Sequence, residues 1–171
     1  MPMTVQTSRG TLYLITAPWG AGKTTLVKHL IGLSNCVVFD WDLLIPGLTE
    51  ASGKDITTDS STWDGLTTLW ADITEAVLEN GQNIVLCGPA TPETFENHRG
   101  LMAKTPVRCA YLDCPDHLLT KRLQERGESE ADIAEELAFA AELRASDYFP
   151  IEVADLTPRE IVEKVRHWLY G

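Results

Sequence analysis

Residues Leu12 to Thr25, LYLITAPWGAGKTT, constrain this chain more than any other stretch. Leu12, Tyr13, Leu14, Ile15 and Thr16 make a short apolar run of β-formers, and Ala17-Pro18-Trp19-Gly20-Ala21-Gly22-Lys23-Thr24 follow it. A helical pattern starts at once, with Leu26, Val27, Leu30 and Leu33 on one face. Strand, glycine-bearing loop, lysine, hydroxyl and helix, in that order, build a nest of backbone N–H groups for the phosphates of a nucleotide. The helix start adds orphan N–H donors and the positive end of a macrodipole. The expected cradle is the backbone of Trp19, Gly20, Ala21, Gly22, Lys23, Thr24 and Thr25. Lys23 is expected to reach the β- and γ-phosphates, and the Thr24 hydroxyl to sit on Mg²⁺. A plain glycine-rich turn is the alternative, but it does not call for those residues in that order.

The stretch departs from a strict G-x-x-x-x-G-K-[ST] pattern at Ala17, which stands where the first glycine belongs. The looser Walker A form admits alanine there, and Gly22-Lys23-Thr24 are intact. A length of 171 residues suits one domain with a sizeable core, 1–171. No apolar run approaches the ~18 residues of a membrane span. The first ten residues lack the apolar centre of a secretion signal, so the expected compartment is the cytoplasm. A net charge of −11 argues against a nucleic-acid binder. Cys36, Cys87, Cys109 and Cys114 show no C-x-x-C pairing, and Cys36, Cys87 and Cys109, within or beside apolar runs, read as buried free thiols.

Asn35 to Phe39 reads as a second, fully buried strand, ending in Asp40-Trp41-Asp42. Acids at the carboxyl end of a parallel strand lie where open α/β sheets place their sites. One of the two could join the Mg²⁺ shell and the other face an acceptor; a turn capped by Asp42 is the plainer alternative. Glu50 to Ser61 reads as a polar loop. A helix follows with Trp63, Leu66, Leu69, Trp70, Ile73 and Val77 on one face, capped by Ser61 with Asp64 and stopped by Gly81. Further strands are expected over Asn83–Cys87, Val107–Asp113 and Phe149–Val153, with helices after Pro92, Pro115, Ser129 and Thr157. Strands alternate with helices throughout, so the fold class is α/β: five strands, mostly parallel, with helices on both faces.

With these residues placed, the chain resembles the P-loop kinases of the nucleoside-monophosphate-kinase-like group, such as shikimate, gluconate and guanylate kinases and chloramphenicol phosphotransferase. Asp40-Trp41-Asp42-Leu43-Leu44-Ile45-Pro46 resembles the D-G-D-x-L-H-P of gluconate kinases and the D-x-D of shikimate kinases. That resemblance implies a P-loop NTPase fold with a short helical lid at about 126–146, ATP and Mg²⁺ as cofactors, Asp40 on the metal side and Asp42 as the acceptor-side acid or base. Lys121 to Gly127, KRLQERG, resembles the R-L-x-x-R-G that leads into the lid of guanylate kinases. By that likeness Arg122 and Arg126 contact the adenine or the phosphates, and Ala141 to Val153 also looks like the guanylate kinase end. Two departures stand out. Glu136 occupies the place of a lid arginine, leaving that charge to Arg126 or Arg144. The third strand ends in Cys87-Gly88-Pro89 rather than in an acid, so Asp40 must supply the metal-side carboxylate.

Between Gly10 and His98 there is no arginine, and from Asp40 to Asp72 Lys54 is the sole cation among seven acids. Arginine forks are what hold a phosphate- or carboxylate-bearing acceptor. Arg99, the first arginine after Arg9, is the one to watch. The expected activity is therefore transfer of the γ-phosphate of ATP to a hydroxyl of a small neutral or cationic molecule. The acceptor segment is about 41–66, with Trp41, Trp63 or Trp70 as an apolar wall, although core packing suits Trp70 and Trp168 better. Lys23, Asp42 and Arg126 are the expected catalytic groups, in a monomer or homodimer without nucleic-acid or membrane partners. A nucleoside or nucleoside-monophosphate kinase, and a non-kinase ATP-binding regulatory module, are the competing readings.

Overall fold

The computed structural model describes residues 8–32, 35–56 and 62–171. The expected contact of Leu33, the Ser61 cap and the polar stretch 57–61 lie outside the described residues. Five strands form one sheet: β1 (Leu12–Thr16), β2 (Cys36–Asp40), β3 (Asn83–Gly88), β4 (Val107–Asp113) and β5 (Phe149–Glu152). Their order is β2-β3-β1-β4-β5, and every pairing is parallel. The helices are α1 (Lys23–Leu30), α2 (Ile45–Ser52), α3 (Trp63–Glu79), α4 (Arg99–Lys104), α5 (Asp116–Glu125), α6 (Glu130–Ala145) and α7 (Pro158–Tyr170). Short 3₁₀ segments cover Trp41–Leu44 and Pro92–His98.

The strands are apolar throughout because both sheet faces are covered. Tyr13, Ile15, Val85, Ala110 and Leu112 point into a core closed by α1, α5, α6 and α7. Leu12, Leu14, Ile84 and Leu86, the alternating positions, point into a second core with Leu66, Trp70 and Leu78 of α3 and Phe95 and Leu101 beyond β3. Adjacent strands β1 and β3 therefore send their following helices to opposite faces. That makes the crevice at their carboxyl ends the switch point where such sheets bind ligands. The expected α6 and α7 starts are present as capping boxes, Ser129 with Asp132 and Thr157 with Glu160.

Four expectations are corrected. β2 is an edge strand, paired only with β3, and its residues are half-buried rather than fully buried. The polar loop expected from Glu50 begins later, because α2 already occupies Ile45–Ser52. Pro46 in its first turn and Gly53 at its end, in the left-handed region at φ 67°, are ordinary helix-boundary signals. Leu69 is exposed, and Ala71, Thr74 and Leu78 take its place on the buried side of α3. All four cysteines are free thiols, but Cys36 and Cys109 are half-buried, and only Cys87 and Cys114 are fully enclosed.

Trp41 shapes the sheet edge. It is 1% exposed, stacks on Trp70 at 5.9 Å between ring centroids and meets Phe95 edge-on at 6.2 Å. The Trp70 indole N–H donates to the Trp41 carbonyl at 3.1 Å. A Cβ on Gly88, the last residue of β3, would stand 2.3 Å from the Trp41 Cβ. Gly88→Ala is therefore expected to destabilise the protein by about 1–3 kcal/mol through overpacking, read as a lower denaturant midpoint at unchanged slope.

Candidate functional site

The register of three neighbouring parallel strands builds one end of the site. Thr16 pairs with Gly88, and Asp40 pairs with Cys87, so β1, β3 and β2 end together at one edge of the sheet. The loop after β1 then climbs over that edge into α1. Gly20 (φ 82°) and Gly22 (φ 104°) are both in the left-handed region, which a side chain resists. Gly22 is the helix N-cap and offers no side-chain cap. The first-turn N–H groups of α1 are left for a ligand.

Lys23 is only 9% exposed, and its ammonium donates to the carbonyls of Ala17 (2.6 Å) and Pro18 (3.2 Å). Burial pulls its pKa below the usual lysine range, while the fields of Asp42, Glu136 and Asp40 push back. Asp42 is pushed above the usual carboxylate range, by burial first and then by Asp40, with Lys23 opposing. Asp40 accepts the Asp42 N–H at 3.2 Å and so caps the 3₁₀ turn that carries Asp42. The two acids sit on a tight turn rather than on opposite sides of an extended segment.

Pro18, Trp19, Gly20, Gly22, Lys23, Thr24, Thr25, Asp42 and Arg126 surround one cavity of about 110 Å³. A larger cavity of about 450 Å³ shares Gly20, Gly22, Thr25 and Arg126 with it and adds Ala21, Arg122 and an apolar wall including Leu26, Leu112, Val153, Leu156 and Ile161. The small compartment has the polar lining of a phosphate site, and the larger has the lining of a nucleoside site. Arg126 is exposed and stands at the junction of the two. Arg122 donates to the Gly20 carbonyl at 3.1 Å, bracing the loop from beneath.

The structure separates other candidates from this site. Arg144 is committed elsewhere, donating to Asp113 (2.9 Å), Asp116 (2.7 Å) and the Cys114 carbonyl (2.7 Å). Trp41 and Trp70 are core residues, and Trp63 is half-buried against the same core, so the expected aromatic wall from Trp41 or Trp70 is overturned. The exposed tryptophan at the cavity is Trp19, 51% accessible. Arg99 opens α4, and its side chain lies outside the described residues. Two features escaped the sequence. One is the wall supplied by the β5–α7 connection, which position after the last parallel strand could have suggested. The other is the contact of Glu136, noted for its place in the lid, whose carboxylate accepts the Trp19 N–H at 2.7 Å; no sequence signal links two residues that far apart.

The family described as "AAA domain" matches residues 13–147, which span the loop, both acids and all of α6. The chain belongs to this family. Its fold is that of the P-loop kinases. A tunicamycin resistance protein of Deinococcus radiodurans superposes with a TM-score of 0.64 at 18% identity, covering 95% of this chain and 96% of the other. A gluconokinase of Sinorhizobium meliloti gives 0.60 at 16%, with 96% and 98% covered. A shikimate kinase of Acinetobacter baumannii gives 0.64 at 16%, with 95% and 94% covered. No curated protein sequence matches significantly. Among the described residues, no helix is long and apolar enough to cross a membrane.

The two arginines predict opposite phenotypes. Arg144→Gln is expected to cost about 1–2 kcal/mol of stability, because it strands two acids and a carbonyl that are partly exposed. Arg126→Gln is expected to stay within about 0.5 kcal/mol of the parent. Chemical denaturation of both variants checks the contrast.

Proposed function

We propose that this chain is an ATP-dependent phosphotransferase that moves the γ-phosphate to a hydroxyl of a small neutral or cationic molecule. The observation that carries the reading is the single small cavity in which Asp42 faces Lys23, Thr24, Thr25 and Arg126. Backbone N–H groups from Trp19 to Thr25 hold the phosphates, and the larger cavity takes the nucleoside. Asp42 accepts the proton of the acceptor hydroxyl as its oxygen bonds to the γ-phosphorus. The bond from that phosphorus to the bridging oxygen breaks, and Lys23 and Arg126 neutralise the charge that gathers on the departing diphosphate.

The Thr24 hydroxyl and the Asp40 carboxylate fit Mg²⁺. Both are hard oxygen donors, Thr24 lining the small cavity and Asp40 holding the N–H of Asp42, which lines it, and this ion takes one or two protein carboxylates together with substrate phosphates and several waters. When bound, Mg²⁺ neutralises charge on the phosphate oxygens.

Three features support the nature of the acceptor. No arginine falls between Gly10 and His98. Asp42, Asp40 and Glu136 make the field around Lys23 acidic. Exposed Leu43 beside Asp42, and Trp19 at the cavity, offer the apolar surface that buried Trp41 does not. Residues 41–66 would form the acceptor edge and 126–146 the lid. The gluconokinase and shikimate kinase among the structural neighbours agree with a small-molecule acceptor. The protein would work in the cytoplasm as a monomer or homodimer, without nucleic acid or membrane.

ADP release measured with and without a panel of amino alcohols, sugars and nucleoside monophosphates tests this. Acceptor-dependent turnover is expected with the first two groups, and turnover with nucleoside monophosphates alone would overturn the proposal. Asp42→Asn is expected to lower transfer about 10²–10⁴-fold while ATP still binds, and Lys23→Ala to abolish nucleotide-dependent activity.

A further inference from the structure

The phosphate loop is satisfied by its own chain. The Lys23 ammonium rests on the Ala17 and Pro18 carbonyls. The Trp19 N–H, a donor of the loop, is held at 2.7 Å by the carboxylate of Glu136, from the middle of α6 and 117 residues further along the chain. A carboxylate oxygen at 2.7 Å from a loop amide makes a charge-assisted bond of the kind a phosphate oxygen makes there. Glu136 is also among the charges acting on Lys23. Both features place a negative oxygen of the protein where the loop's geometry favours a negative oxygen of a ligand.

The position of Trp19 says which phosphate is concerned. Gly20, Ala21 and Gly22 line the larger, nucleoside-sized cavity, whereas Trp19 lines only the small one, together with Asp42. The Trp19 amide therefore lies on the side away from the nucleoside, where the last phosphate of a triphosphate would arrive. One N–H cannot serve two anionic oxygens, and like charges at such separation repel.

We infer that Glu136 is an internal phosphate mimic, a latch that fastens α6 to the loop through the Trp19 N–H and that the terminal phosphate of ATP must displace. This rests on reading the loop as a nucleotide site. The latch makes triphosphate binding and release of α6 one event. It also gives the loop a way to distinguish ATP from ADP that uses no extra contact to ATP, only a cost that ATP removes. Arg144 ties the far end of α6 to Asp113, Asp116 and the Cys114 carbonyl, so release at Glu136 does not require the whole helix to leave.

Calorimetric titration of ATP and ADP into the parent, Glu136→Ala and Glu136→Gln separates the possibilities. Glu135→Ala serves as a control that removes the same charge from an exposed neighbour on the same helix. Glu136→Ala is expected to tighten ATP about tenfold and ADP less than threefold, near the low end of typical couplings because the contact is partly solvated. Glu136→Gln, which keeps an oxygen without the charge, should fall between, and Glu135→Ala should change neither nucleotide. In nucleotide-free protein, hydrogen exchange of the Trp19 amide should speed up in Glu136→Ala alone. Equal gains for ATP and ADP, a loss of ATP affinity, or unchanged Trp19 exchange would each overturn the latch. Failure of every form, parent included, to bind either nucleotide would instead overturn the phosphate-site reading, and the competition with it.

Discussion

The burial of one ammonium governs the architecture around it. Lys23 sits at the first residue of α1, nearly out of water, and an unpaired charge there would be prohibitively costly. Two loop carbonyls accept from it, and three carboxylates from β2, the following turn and α6 surround it with opposing charge. Two of those carboxylates come from the turn that ends β2 and the third from α6. Satisfying Lys23 therefore ties the loop after β1 to the end of β2 and to a helix far downstream.

The acids are held in place by apolar packing. Trp41, between Asp40 and Asp42, is driven into the second core, stacked on Trp70 and pressed against Gly88. With its indole fixed and its carbonyl accepting from Trp70, the chain must turn there, and the turn presents Asp42 to the small cavity beside Lys23. The missing acid at the end of β3 has its explanation in the same contact: there is no room for any side chain at Gly88. A bulky residue between two acids, and a glycine where an acid might stand, are two halves of one steric arrangement.

The same economy holds on the donor side. Arg122 braces the loop through the Gly20 carbonyl, while Arg126, one turn later, stays exposed at the junction of the two cavities. Two arginines four residues apart on and after α5 thus have different surroundings, one holding a loop carbonyl and the other facing the two cavities. Arg144 takes a third, joining α6 to the end of β4 and the start of α5.

The sequence by itself determined the strand, loop, lysine and helix over Leu12–Leu30, the five strands, the helix caps at Ser129 and Thr157, and the α/β class. All of these are local: backbone geometry, capping and periodicity act over a few residues and leave their mark in order and composition. The tertiary structure decided what depends on distance through space. It made β2 an edge strand and put Trp41 in the core instead of at the acceptor. It withdrew Arg144 from the site and brought Glu136 onto the Trp19 amide. None of these could be read along the chain, because burial and charge pairing are settled by which elements pack together: Gly88 meets Trp41, Arg126 shares a cavity with Asp42, and Glu136 reaches the Trp19 N–H only in the folded chain, where the parallel register brings the strand ends to one edge.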